Sequence, residues 1–175
     1  MTSKLRRVWQ LFTAVRARPL DKTEVIYLHT ILSPGQADLF FSLVKYEQRH
    51  ALNVCRTLVK AGFGADRELL QAALLHDLGK SDPDTGQYVP LWAKCVNVGL
   101  SSLGGPKLVS RLARPNPRSR GYIFYLQTEH EARSARLALK AGSSQRVVSL
   151  LAGNKTSQNR DDLAAQALQW ADDLN

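Results

Sequence analysis

Apolar residues return every three or four positions through most of the chain, and no long stretch alternates apolar with polar residues as a half-buried strand would. Stripes of that period are buried by packing helix against helix, so the expected fold is all-α. Punctuation divides the chain into helices over Lys4 to Ala17, Asp21 to Thr30, Gly35 to Ala61, Asp66 to Leu78, Leu91 to Leu103, Pro106 to Ala113, Tyr122 to Ala141, Ser144 to Ala152 and Asn159 to Leu174. "SPG" opens the third, "AGFGADRE" separates the third from the fourth, "SDPDTG" ends the fourth region, and "AGSS" closes one helix and starts another. The product is a bundle of about eight or nine helices. At 175 residues it is expected to be one domain, 1–175, with 1–33 as a helical extension packed on the core and 81–120 as an insert.

The chain carries a formal charge of +9, which draws anions such as nucleotides, phosphates, nucleic acid or acidic lipid. Part of that excess is clustered: no Asp or Glu occurs from Thr85 to Thr128, while Lys94, Lys107, Arg111, Arg114, Arg118 and Arg120 do, making 81–120 a basic insert. No nucleic-acid motif or interleaved aromatic platform accompanies the charge, so nucleic acid is not the expected partner. No uncharged apolar run nears the roughly 18 residues of a membrane span, and no secretory leader is evident, which points to a cytoplasmic protein. "KLRRVWQLFTAVRAR" is basic and amphipathic and reads as a packed helix with a solvated face. Cys55 and Cys95 have no CxxC spacing and read as reduced and structural.

Against this background "AALLHDLGK", Ala72 to Lys80, is unusual: an apolar run leads directly into His76 and Asp77, both costly to bury without a partner. Turning each helix by about 100° per residue places further polar groups on apolar stripes. His50 shares a face with Leu39, Phe40, Leu43, Val54, Leu58 and Ala61, and His130 with Ile123, Leu126, Leu137 and Ala141. Asn154 follows Val147, Leu150 and Leu151, and Asp172 aligns with Ala165 and Leu168 while Asp173 turns outward. Any one of these alone reads as a hydrogen-bonded core residue or a frayed helix end. Together, His50, His76, Asp77, His130 and Asp172 favour a shared divalent cation, which satisfies imidazoles and carboxylates at once away from water.

The blocks "YEQRHALNVCRTLVKAG", "LLQAALLHDLGKS", "QTEHEARSARLALKAGSSQRVVSLLAGNK" and "ALQWADDLN" resemble, in order, those of the HD-domain superfamily, from about Tyr46 onward. The resemblance implies an all-α bundle in which His50, His76, Asp77 and Asp172 ligate one divalent metal, of the Mn, Fe, Mg, Co or Ni type. It also implies a phosphohydrolase acting on nucleotides or related phosphoesters through metal-activated water. Asp77 would bind the metal and steer the attacking water. Lys80 would neutralise a phosphate oxygen or complement the helix dipole, and Arg49 is a second candidate for phosphate. His130 would hold a phosphate oxygen or protonate the leaving group. Two-metal relatives present histidines where this chain has Asn154 and Lys155, so a single metal is expected, with Asn154 facing substrate. The same departure leaves an alternative: a degenerate HD domain serving as a nucleotide-sensing or scaffold module.

Overall fold

In the computed structural model, which describes residues 18–93, 106–153 and 162–175, side-chain caps fix where most helices begin. Asp21 and Glu24 form a reciprocal capping box at the start of α1 (Lys22–Ile31). Ser33 and Gln36 form another at α2 (Pro34–Ser42), with Pro34 in its first turn. α3 (Lys45–Lys60) follows, and then α4 (Arg67–Leu75), whose first turn is capped by Asp66. After α5 (Pro106–Leu112), α6 (Tyr122–Thr128) and α7 (His130–Lys140), Gly142 adopts a φ of 79° that ends the helix, and Ser144 caps α8 (Gln145–Leu151). Asp162 caps α9 (Leu163–Leu174). Among the described residues the fold is all-α apart from one antiparallel pair, β1 (Ser81–Asp82) with β2 (Gln87–Tyr88), which forms in and just after the "SDPDTG" turn.

Two expected long helices are interrupted. The segment read as Gly35 to Ala61 breaks at Leu43 and Val44, both extended, and the Gln48 amide donates to the Phe41 and Leu43 carbonyls at 3.1 and 2.8 Å, satisfying oxygens the helix end leaves free. Tyr122 to Ala141 divides at Glu129. The expected Lys4 to Ala17 helix lies outside the described residues, as do most of Leu91 to Leu103 and the first residues of the helix expected from Asn159.

The main core joins α3 and α4 to α1, α2, α7, α8 and α9 through fully buried side chains such as Leu28, Phe40, Leu52, Leu58, Leu74, Ala138 and Val147. Each buried leucine contributes about 2 kcal/mol of transfer free energy. A small second cluster, Val89, Ala93, Tyr122 and Leu126, seats the hairpin against α6. The Tyr122 hydroxyl donates to Asp82 at 2.6 Å, and Thr85 donates to the same oxygen, so the start of the insert is tied to the bundle. Arg111, Arg114, Arg118 and Arg120 are exposed. Among the described residues no helix is long and apolar enough to cross a membrane.

Candidate metal centre

Three elements deliver the inward polar side chains. α3 presents His50, the turn after α4 presents His76 and Asp77, and the last turn of α9 presents Asp172. α9 is docked at its end by Asn175, whose amide donates to the Thr57 hydroxyl of α3 at 2.9 Å and to the Ala171 carbonyl at 2.8 Å. The four side chains converge. Asp172 Oδ1 accepts from His50 Nε2 at 2.9 Å and lies 3.4 Å from His76 Nε2. Asp77 places Oδ1 3.4 Å from His76 Nε2 and Oδ2 3.9 Å from His50 Nε2. Asp77 is 1% exposed, whereas the Asp172 side chain is 38% exposed and forms the rim.

The protonation pattern around His76 tests whether these residues suit a cation. His76 Nδ1 donates to the Ala73 carbonyl at 2.8 Å, which leaves a lone pair on Nε2 in the neutral ring. That nitrogen is buried, makes no hydrogen bond, and faces carboxylate oxygens of both Asp77 and Asp172. A lone pair between two carboxylates is repulsive unless a cation or a proton lies among them. Ligands at right angles around a first-row ion, at bonds of about 2.1 Å, stand about 3 Å apart. Separations of 2.9, 3.4 and 3.4 Å fit that requirement. The His50, His76 and Asp172 ligand atoms all lie within 4.8 Å of one another.

Charge points the same way. Burial works against a charged His76, but Asp77 and Asp172 outweigh it and push its pKa up to about 9 in the ion-free protein. A proton on His76 can thus take the place between the carboxylates that a cation would otherwise fill. Burial opposes ionisation of Asp172 too, yet His76 and His50 hold its carboxyl well below the usual range. Lys80 Nζ lies 2.6 Å from Asp77 Oδ2. Burial disfavours its charge, but Asp77, Glu47 and Asp172 keep the ammonium protonated. Glu47, Asp77 and Asp172 thus all act on the Lys80 ammonium, with Asp77 in direct contact.

The other expected residues divide. His130, opening α7, donates from Nδ1 to the Gln127 carbonyl at 2.8 Å and has the same tautomer as His76; burial and the Lys80 ammonium lower its pKa. A neutral ring of that tautomer presents an acceptor at Nε2. Arg49 is corrected. Adjacent in sequence to His50, it leaves α3 about 100° away, and its guanidinium binds Glu24 at 2.6 and 2.8 Å and the Arg18 and Pro19 carbonyls. Its expected contact with substrate gives way to a structural clamp on α1. Asn154 and Lys155 lie outside the described residues.

Sequence reasoning passed over three residues. Glu47, one turn before His50 and fully buried, reads in sequence as an ordinary acidic first-turn residue. Gly79 admits no side chain: a Cβ there would sit 2.1 Å from the His130 carbonyl oxygen and 2.7 Å from Arg133 Cβ. Ser134, on α7, hydrogen-bonds the turn that holds His76 and Asp77. Its signal was present, as a polar residue one turn after His130 on the same inward stripe. No protein-family model matches the chain, and no curated protein or solved structure matches it significantly.

Proposed function

We propose that the chain is a metal-dependent phosphohydrolase of the HD type, acting on a small anionic phosphoester such as a nucleotide. The observation that carries this reading is the buried His76 Nε2, without a hydrogen bond and 3.4 Å from a carboxylate oxygen of both Asp77 and Asp172. His50, His76, Asp77 and Asp172 would hold one divalent ion of the Mn, Fe, Mg, Co or Ni type. Such an ion supplies Lewis acidity toward a phosphoryl oxygen and lowers the pKa of water. The remaining work falls to side chains. Lys80 donates to the second oxygen of Asp77 at 2.6 Å and keeps that side chain aimed. His130, held neutral with its acceptor at Nε2, is suited to take a proton and return it to a leaving oxygen. The ordered resemblance to HD-domain blocks and the net charge of +9 support an anionic phosphorylated substrate.

A second reading, a catalytically degenerate HD domain that senses a nucleotide or acts as a scaffold, is favoured by one observation. Both cations nominated for phosphate are already engaged, Arg49 by Glu24 and Lys80 by Asp77. One experiment separates the two. Protein loaded with Mn²⁺ or Fe²⁺ is assayed for phosphate release from a panel of nucleotides and phosphoesters beside His76→Ala. Release by the parent alone is the expected result. Thermal stabilisation by Mn²⁺ and nucleotide without release identifies the sensing module, and no release with no metal response ends both readings.

A further inference from the structure

The turn carrying the His-Asp doublet is held open from outside. In an uninterrupted helix the His76 carbonyl would accept from the Lys80 amide, and consecutive side chains would diverge by about 100°. Here the Lys80 amide bonds instead to the Asp77 carbonyl at 3.0 Å. The Ser134 hydroxyl enters the gap, donating to the His76 carbonyl at 2.7 Å and accepting from the Gly79 amide at 2.8 Å. Insertion of a side chain into the helical ladder is a recognised cause of a break. The break occurs where α4 ends, short of the Leu78 that apolar periodicity alone would reach. At Asp77 the backbone turns to φ −99° and ψ 6°, and as a result His76 Nε2 and Asp77 Oδ1 converge to 3.4 Å.

Ser134 is 0% exposed. Both of its hydrogen bonds cross to the turn, whereas a helix serine ordinarily bonds back to the carbonyl one turn earlier in its own helix. Gly79 makes the approach possible, because α7 passes where a Cβ would be. Arg133 adds a second tie from the same helix, donating from Nε to the Gly79 carbonyl at 3.1 Å.

We propose that Ser134 is a positioning residue: its hydroxyl, wedged between the His76 carbonyl and the Gly79 amide, makes two consecutive residues into a chelating pair. The inference rests on the metal reading above and gives α7 control over ion affinity. Outer groups that orient ligands are worth about 10–100-fold in metal affinity. Ser134→Ala is therefore expected to raise the Mn²⁺ dissociation constant by about that factor, measured on the full chain by the electron paramagnetic resonance signal of free Mn²⁺. The visible spectrum of the Co²⁺-loaded variant should shift as Asp77 turns away. Ala138→Gly, a change at a buried position one turn further along the same helix, controls for lost stability and should keep both the parent affinity and the parent spectrum. Parent-like affinity and spectrum in Ser134→Ala overturn the inference, as does equal weakening in Ala138→Gly. Absence of Mn²⁺ binding by the unaltered chain overturns the metal reading and this inference together.

Discussion

Arg49 and His50 are neighbours in sequence and belong to two buried charge clusters of opposite character. On one side of α3, Glu24 receives two bonds from Arg49 and lies 2.9 Å from Arg56, with its own capping contacts complete. On the other, His76 turns an unbonded nitrogen toward two carboxylates. The first cluster is closed by the chain itself; the second closes only when something is added. Burial of charge is common to both, so burial alone does not mark a binding site. The mark is an acceptor left facing acceptors.

That contrast can be tested from its strongest point downward. His76→Ala should weaken Mn²⁺ binding by more than about 100-fold, read by metal content after dialysis, while Arg49→Met should keep the parent metal content. Gly79→Ala, with its Cβ 2.1 Å from the His130 oxygen, should cost about 3 kcal/mol in denaturant unfolding and weaken Mn²⁺ binding as well, because α7 must retreat from the turn. Glu24→Gln should cost about 2 kcal/mol at neutral pH with no change in affinity for Mn²⁺.

The two clusters should also respond to pH with opposite sign. The Arg49 guanidinium holds Glu24 down to about 2, from an ordinary value of 4.5, so its contribution is present above 4.5 and is lost as pH falls toward 2. The ion-free His76 is raised from 6.5 to about 9, so its contribution is full below 6.5 and is lost as pH rises through 9. Unfolding curves against pH, with and without Mn²⁺, should show the alkaline loss only in the ion-free protein, and Mn²⁺ affinity should climb across the same window. The smallest effect belongs to the exposed Arg146, paired with Asp66 and Glu68 at the surface. Arg146→Ala should cost about 0.5 kcal/mol in the same assay.

Much of the bundle was legible because apolar period and caps agree: Asp21, Ser33, Asp66 and Ser144 all begin helices as their chemistry requires. The break at Leu43 and Val44 was hidden, since neither residue disfavours helix strongly and its compensation comes from Gln48, several positions on. Helical stripes picked His50 and Asp172, the apolar run of "AALLHDLGK" picked His76 and Asp77, and the fold brings all four together. Naming Arg49 for its place beside His50 misled, because adjacency in a helix is divergence in space. The stripes could not weigh Ser134 or Glu47, whose roles depend on which turn or ammonium lies opposite.

His50 and Asp172 touch across 122 positions of sequence. Contacts of that separation are costly to form early, because the long loop they close must be ordered first. On that reasoning the His50 and Asp172 contact is expected to be completed late, by a chain that has already found its topology. Under the proposed metal reading, uptake of the ion would be a timestamp on maturation: a population that had captured it would be one in which the two distant segments had met.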